Sequence, residues 1–270
     1  MNPHLRELLT DLKAAALIGH PESLQSALDG VRALGDEEIP PSALVPLGRA
    51  LTPLPAKTLK PFLDDPDPAI RALVAVAMGE RYMQSQDIPA KDLHTPAADP
   101  NPEVRAALAR ALIEFTPPRP EKLAPLVEAW LQPPADGDHA PRTTHPALLL
   151  IPHLPPSSFP LFSHLAPLDS LEDHDFRDSL VNCLNALAEK GQSTPVLDLL
   201  SQWASRIEPN VWVITRILSA SWAKVHHEQA TRILNVLARQ AGMIRPIVRA
   251  LERNKMSDTF QTSEVSGNDF

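Results

Sequence analysis

The chain is short of several residue types, and each shortage excludes a class of protein. A single cysteine among 270 residues excludes an intrachain disulfide framework and an all-cysteine zinc site. No apolar run approaches the roughly 18 residues of a membrane-spanning helix. The first residues, MNPHLRELLTDLK, lack the basic and then apolar pattern of a secretory signal. We therefore expect a soluble, cytoplasmic protein that is not bound to a membrane.

Glycine and aromatic residues are also scarce, whereas proline is abundant. The sequence holds nine glycines and 4% aromatic residues, but 30 prolines, which is roughly twice the usual frequency. Proline is tolerated in the first turn of a helix and in rigid turns, so it indicates many helix starts. Hydrophobic residues at 43% and charged residues at 21% are near globular averages. The composition therefore predicts a folded chain with many short elements.

Two neighbouring segments are copies of each other. Residues 55–80 and 89–114 align at an offset of 34, with 12 of 26 positions identical. In each copy an N-cap residue, Asp67 or Asn101, is followed by a proline and an amphipathic run. Each copy thus predicts two helices around a sharp turn. Self-similarity at such a period is typical of helical repeat proteins.

Weaker copies continue this period. They keep only some of the arginines that follow the turn and some of the acidic residues six positions before them. The positions equivalent to Arg71 and Arg105 are Arg142, Arg177 and Ile214. The acid positions are Asp65, Asp99, Asp136, Leu171 and Glu208, so Leu171 breaks the pattern and the last copy lacks the arginine.

Helical patterns extend over most of the chain, and strand signals are almost absent. We predict an all-α fold of about seven helical pairs over residues 1–255, in which each unit buries its apolar face against its neighbours. Residues 132–160 are proline-rich and predict a degenerate or loop-containing unit. Residues 256–270 are polar, acidic and aperiodic, which predicts a disordered tail. Outside the two copies, the predicted helices are 3–17, 21–34, 172–190, 194–206, 209–223, 226–241 and 245–255.

The strings DPDPAIR at 65–71 and DPNPEVR at 99–105 resemble the turn and second-helix start of HEAT repeats, a family of armadillo-like helical proteins. The resemblance is strongest over residues 54–115. It implies an α-solenoid, a right-handed superhelix whose second helices line the concave face. It also implies a ladder in which turn aspartates and arginines join neighbouring repeats. The ladder residues would be Asp65, Arg71, Asp99, Arg105, Asp136 and Arg142.

The same resemblance implies a function. Most members of this class are protein-binding scaffolds, and minority branches include bilin lyases and alkylpurine DNA glycosylases. The chain carries no glycine-rich phosphate loop, GxSxG or HExxH motif. We therefore expect a non-catalytic scaffold or adaptor without a cofactor or metal. The alternatives are a nucleic-acid-binding protein similar to the glycosylases, or an accessory factor similar to the bilin lyases.

Charge is unevenly distributed along the chain. Residues 1–200 hold 16 basic and 27 acidic residues, whereas residues 201–255 hold nine basic and three acidic ones. A basic surface attracts an acidic protein or nucleic acid. The alternative is a solvated helix face that complements helix dipoles. The candidate partner-binding residues are Arg216, Arg232, Arg239, Arg245, Arg249 and Arg253.

Other residues have mainly structural interpretations. Trp203, Trp212 and Trp222 lie among apolar neighbours, which favours packing in the core or between repeats over stacking on bases. Cys183 lies on an apolar face, so we expect a buried thiol that is not a chromophore attachment point.

Polar clusters give no metal-binding pattern. The adjacent His226 and His227 point to different sides of a helix, which is poor geometry for one ion. The acidic residues around His174 favour a helix N-terminus, where they complement the dipole.

Overall fold

The chain folds into helices joined by short turns. The computed structural model describes residues 3–34, 39–84, 88–132, 142–155, 161–166, 168 and 174–264. Within these ranges the regular elements are helical and there is no strand, as the sequence predicted. The chain divides into two compact units, Met1–Phe159 (unit 1) and Pro160–Phe270 (unit 2), and each has its own buried apolar core.

The middle of unit 1 alternates short and long helices. There, the first helix of each repeat is only one turn long and joins a 3₁₀ turn, Lys60–Asp64 or Ala90–Leu93. Pro61 and Pro96 lie inside these segments, where proline removes a helix hydrogen bond. The helices are α1 (Pro3–Ile18), α2 (Pro21–Leu34), α3 (Pro41–Arg49), α4 (Ala56–Leu59), α5 (Pro68–Met83), α6 (His94–Ala97), α7 (Pro102–Ile113), α8 (Pro120–Leu131) and α9 (Thr144–Leu150).

These helices form two layers. Helices α1, α3, α5, α7 and α9 pack one against the next in chain order. The other layer holds α2, α4, α6 and α8. Helices α2 and α4 both contact α5, α6 contacts α7, and α8 contacts α9. This is the stacking of helical pairs expected of a repeat protein.

The N-terminal ends of α5 and α7 are formed as the sequence predicted. The carboxylate of Asp67 accepts the amide of Ala69 at 2.8 Å, and the Asn101 side chain accepts the amide of Glu103 at 2.8 Å. Each cap residue is followed by a proline at the first helical position. A backbone amide at this position has no acceptor within the helix, so proline removes no helix hydrogen bond there. The predicted proline-rich interruption at 132–160 lies partly outside the described residues, and its described part contains α9 and a 3₁₀ turn at Ile151–His153.

Unit 2 repeats the two-layer arrangement. Helices α11, α13 and α16 pack in succession in one layer, and α10, α12 and α15 do so in the other. Gly191, at φ +90°, adopts a backbone conformation that glycine tolerates best, and it separates α11 from α12. The helices are α10 (Leu161–Leu165), α11 (His174–Leu187), α12 (Ser193–Ala204), α13 (Val211–Ile217), α14 (Ser221–Val225), α15 (His227–Ala241) and α16 (Arg245–Glu264).

Two sequence predictions differ from the structure in unit 2. The helix predicted over 209–223 is two short helices, α13 and α14, separated by residues 218–220. Helix α16 continues to Glu264, beyond the residue 255 at which the sequence predicted a disordered tail. The rest of that tail, 265–270, lies outside the described residues.

Candidate functional site

The turns of unit 1 are joined by a buried charged pair. Arg71 on α5 donates from Nε and Nη2 to the two carboxylate oxygens of Asp99, at 2.8 and 3.1 Å. The two side chains are only 13% and 6% exposed. The hydrogen bond to Asp99 raises the pKa of Arg71 above its usual value, although burial opposes this. The pair therefore fixes one repeat to the next with a planar, bidentate contact.

The same arginine also holds its own turn. Arg71 Nη1 donates to the carbonyl of Asp65 at 2.8 Å, while Asp65 accepts the amide of Asp67 at 3.0 Å. The next repeat has the same arrangement: Arg105 Nη1 donates to the Asp99 carbonyl at 2.7 Å, and Asp99 accepts the amide of Asn101 at 2.8 Å. Each aspartate thus shapes its turn with Oδ1 and offers Oδ2 to an arginine of the preceding repeat, and Asp99 Oδ1 accepts from that arginine as well.

The ladder contains one contact that the sequence did not predict, and its predicted continuation through Asp136 lies outside the described residues. Arg32 on α2 donates to Asp65 at 2.5 Å, and so precedes Arg71 in the ladder. It lies 39 residues before Arg71, outside the spacing used to find the copies. Asp136 lies outside the described residues. Arg142 is exposed, and its carbonyl accepts the amide of His145.

A second network crosses the C-terminal ends of three helices in unit 1. Arg49, the last residue of α3, contacts the buried carboxylate of Glu80 on α5 at 2.5 Å. It also lies 3.6 Å from the exposed carboxylate of Glu114, which follows α7. Arg110 on α7 donates to the carbonyl of Pro41 at 2.6 Å. Because α3 and α7 also contact each other directly, they close over one side of α5.

Helix α5 is buried on all sides as a consequence. Residues 72–81 of this helix are all buried, including Glu80 and Arg81. The guanidinium of Arg81 donates a hydrogen bond to the carbonyl of Thr52 at 2.7 Å. The apolar and small residues on every side of this segment allow neighbouring helices to surround it.

The end of α5 is also fixed to the start of α8. Tyr82 donates its hydroxyl to the carbonyl of Lys122 at 3.0 Å, and the Lys122 ammonium donates back to the carbonyl of Tyr82 at 2.5 Å. Burial lowers the pKa of Lys122 and raises the pKa of Tyr82. This reciprocal contact is structural and joins two half-buried side chains.

The six candidate arginines of unit 2 are all exposed. On α16, Arg245, Arg249 and Arg253 follow each other at intervals of four residues, so they turn by about 40° per step along one face. The opposite face holds the buried Ile247 and Ala250. Arg216 is on α13, and Arg232 and Arg239 are on α15.

The two arginines of α15 also point away from the core. They are seven residues apart, and the buried residues Ile233, Leu234 and Leu237 lie on the opposite side of the helix. Arg232 lies 3.6 Å from Glu228, with both side chains more than two-thirds exposed. Such a surface ion pair contributes little and does not remove the arginine from the surface.

The tryptophans of unit 2 differ in burial. Trp203 and Trp222 are buried, and their ring nitrogens donate to the Ala166 carbonyl at 2.8 Å and to Asn185 at 2.9 Å. Packing in the core or between repeats was predicted for all three tryptophans. Trp212 is not in the core: it is 37% exposed, and its ring lies 6.0 Å from that of His174 on α11. Trp212 is the second residue of α13.

The remaining reactive groups are each buried or close to a neighbouring side chain. Cys183 is buried, as predicted, and burial raises the pKa of its thiol. His226 packs beside Trp222 at 6.3 Å between ring centres. His174 lies 3.3 Å from Asp178 one turn on, while the neighbouring Glu172 and Asp173 fall outside the described ranges. Among the residues with described positions, no group of three or more histidine, cysteine or carboxylate side chains is arranged to hold a metal.

Comparison with known proteins gives one match. Residues 56–139 match the family described as HEAT repeats. This range covers the two clear copies, the Arg71 and Asp99 pair, and helices α4 to α8. No curated relative matches the sequence. In the described part of the chain, no helix is long and apolar enough to cross a membrane.

Proposed function

We propose that this chain, in which residues 56–139 match the family described as HEAT repeats, is a non-catalytic scaffold or adaptor that binds an acidic surface of a partner protein. HEAT repeats generally serve as protein-interaction scaffolds. The observation that carries the proposal is the exposed set of six arginines on α13, α15 and α16, here called the basic surface. Its members are Arg216, Arg232, Arg239, Arg245, Arg249 and Arg253.

The distribution of burial and charge supports unit 2 as the binding part. In unit 1 the side of α5 facing α3 and α7 is covered by their direct contact, so α5 offers no open groove there. In unit 2, residues 201–255 carry nine basic and three acidic residues in a chain whose net charge is −8. A local positive surface on an acidic protein selects a partner by charge complementarity and orients its approach.

A charge reversal tests the proposal. The variant Arg245→Glu/Arg249→Glu/Arg253→Glu changes three exposed residues of one helix face and leaves the buried face of α16 intact. The matched control, Arg6→Glu/Lys13→Glu/Lys57→Glu, makes the same change in net charge at exposed sites of unit 1. Tagged full-length forms of both are purified from the native host at low salt after nuclease treatment, and a partner recovered with the parent protein is then titrated against each.

We expect the α16 variant to weaken this binding by at least about tenfold and the unit 1 control to change it little. Raising the salt concentration should weaken binding to the parent protein, because exposed charges are screened. Equal binding by both variants would overturn the role of the basic surface, provided that circular dichroism shows both to be folded.

Nucleic acid is the alternative partner, and it has weaker support. Phosphate contacts supply most nonspecific affinity for nucleic acid, and a net charge of −8 opposes a large phosphate footprint. Two of the three tryptophans that were candidates for base stacking are buried. Loss of all associated material on nuclease treatment, with steep salt dependence, would favour this alternative.

The accessory role similar to the bilin lyases lacks a residue to carry it. The single cysteine, Cys183, is 2% exposed, so a chromophore has no accessible thiol here. A visible absorption band in protein purified from the native host would favour that role.

A further inference from the structure

The turns at one edge of unit 2 leave large apolar side chains exposed. Ile207 lies in the turn between α12 and α13 and is 91% exposed. Trp212 follows on the first turn of α13. Met243 and Ile244 form the turn between α15 and α16 and are 65% and 42% exposed. We call these four residues the apolar edge.

The packing of the helices brings the two turns to the same edge. Asn254, the tenth residue of α16, donates to the carbonyl of Leu218, which directly follows the seven residues of α13. Both partners of this bond therefore lie about 10 to 14 Å along their helices, since a helix rises about 1.5 Å per residue. Helices α13 and α16 pack side by side, as α12 and α15 do, so the pairs α12/α13 and α15/α16 stack as successive repeats. Equivalent helices of successive repeats differ by only a small rotation, so we infer that α13 and α16 begin at the same end of the unit.

The preceding helices end at that edge as well. Helices α12 and α15 pack against each other and lead into the two turns. The α12 end is anchored by Trp203 and Arg206, whose side chains both donate to the carbonyl of Ala166, at 2.8 and 3.0 Å. The apolar edge therefore lies on a fixed framework rather than on a long loop.

Basic side chains surround these apolar groups. The segments 205–212 and 239–245 contain three arginines and one acid, Glu208. Arg239 is exposed two residues before the end of α15, and Arg245 is exposed at the start of α16. Neither has an ion-pair partner among the described side chains. Arg245 also begins the row that continues through Arg249 and Arg253, so the apolar edge joins the basic surface.

We propose that the apolar edge takes a short acidic segment of the partner protein that carries apolar anchor side chains, a proposal that rests on the proposed function. The segment places its apolar side chains on Ile207, Trp212, Met243 and Ile244, and its carboxylates pair with Arg239, Arg245 and the rest of the row on α16. Apolar anchors supply affinity and the charged rim supplies orientation, as in protein interfaces generally.

The charge of the whole chain favours a segment over an anionic membrane. A membrane presents a plane of negative charge to the entire protein, whose net charge is −8. A short segment is exposed mainly to charges within about 8 to 10 Å, the screening length in physiological salt, and these are basic at the edge. The apolar groups are also turn residues flanked by arginines, which suits a narrow ligand.

Two labelled peptides and one kind of vesicle test this assignment on the full-length protein. One peptide alternates acidic residues with leucine and phenylalanine, and the other has the same acidic residues with serine at every apolar position. Vesicles rich in phosphatidylserine form the third arm. Trp212 is the one exposed tryptophan among the described side chains, since Trp130, Trp203 and Trp222 are buried, so its fluorescence reports contact at the edge.

We expect the apolar and acidic peptide to bind about tenfold or more tightly than its serine counterpart and to change the fluorescence of Trp212. Ile207→Ser/Met243→Ser should weaken its binding by a similar factor. The control Leu17→Ser/Val225→Ser removes two apolar side chains that are 82% and 79% exposed elsewhere, and should leave affinity unchanged. Trp212→Phe should abolish the fluorescence change.

The other outcomes overturn the assignment and separate it from the proposed function. Equal binding of both peptides, lost in the Arg245→Glu/Arg249→Glu/Arg253→Glu variant, would overturn the apolar edge and leave the basic surface standing. Binding of vesicles without binding of the apolar peptide would replace the segment with a membrane. Binding of neither peptide would overturn the apolar edge, and the proposed function would then depend on the partner titration alone.

Discussion

At the scale of single residues, the arginine and aspartate ladder shows when a charged pair contributes to stability. Exposed ion pairs such as Arg232 and Glu228 contribute about 0 to 1 kcal/mol. Arg71 and Asp99 differ because both are largely removed from water and meet through two parallel hydrogen bonds. Removing one partner leaves the other buried with an unmatched charge, which is the costly case.

Arg71→Ala should therefore lower the free energy of unfolding by about 1 to 3 kcal/mol, because Asp99 loses two donors. Urea unfolding followed by circular dichroism measures this loss. Arg71→Lys should recover only part of it, since an ammonium group lacks the planar pair of donors. Arg239→Ala, at an exposed site, is the control and should change little. A midpoint for Arg71→Ala equal to that of the control would show that this pair contributes no stability.

The sequence identified Arg71 and Asp99 because the same short string occurs twice at a fixed spacing. It missed Arg32, which makes a single hydrogen bond to Asp65 from a helix without the string. A ladder contact requires only that a guanidinium lie within hydrogen-bond distance of a turn aspartate. Arg32 on α2 meets this requirement at a different sequence separation from the one that relates the two copies. Contacts of this kind depend on packing and are not encoded in a local motif.

At the scale of helices, the approach of α3 to α5 depends on one glycine. A Cβ atom added to Gly48 on α3 would lie 2.5 Å from Val76 Cβ and 2.7 Å from the Leu73 carbonyl oxygen. The atoms it meets are backbone or close to it, so they cannot rotate away. Gly79 on α5 is less crowded toward α7, where the nearest atom, Leu108 Cδ1, lies 3.1 Å away at the end of a flexible side chain.

Two glycine substitutions in helices should have opposite effects. Gly48→Ala forces α3 away from α5 and should destabilise the protein by about 1 to 3 kcal/mol, as overpacking does. Gly30→Ala, in the middle of α2, meets its nearest atom at 3.5 Å and should be neutral or stabilise by up to about 1 kcal/mol, since alanine favours helix. Thermal unfolding of both variants measures the difference. Equal midpoints, or a more stable Gly48→Ala protein, would contradict the close approach of these helices.

The elements themselves were predictable to different degrees. The caps and prolines at 67–68 and 101–102 place the starts of α5 and α7, because these signals act within a few residues. The break between α13 and α14 has no such signal, since residues 218–220 are Leu, Ser and Ala, and it follows from packing against α15 and α16. The closure of α3 and α7 over α5 joins residues up to 69 positions apart, and a local pattern cannot reveal it.

At the scale of the whole molecule, the chain holds two compact units, and we propose that unit 2 is the one that binds the partner. Unit 1 contains the matched repeats, the ladder and α5, whose residues 72–81 are buried. Unit 2 contains the basic surface and the apolar edge. In repeat proteins, stability is approximately a sum of terms from each repeat and its neighbours, so distant repeats respond separately to a substitution.

We expect the two units to respond separately to substitutions in their cores. In a Trp130→Phe background the tryptophans that remain, Trp203, Trp212 and Trp222, all lie in unit 2, so fluorescence follows that unit while circular dichroism follows both. Gly48→Ala should then lower the urea midpoint of a circular dichroism phase without moving the fluorescence midpoint. Asn254→Ala removes the buried donor to Leu218 in unit 2 and should lower the fluorescence midpoint alone. If each substitution shifted both signals equally, the units would unfold as one cooperative structure, and a change in unit 1 would then alter the stability of the binding surface in unit 2.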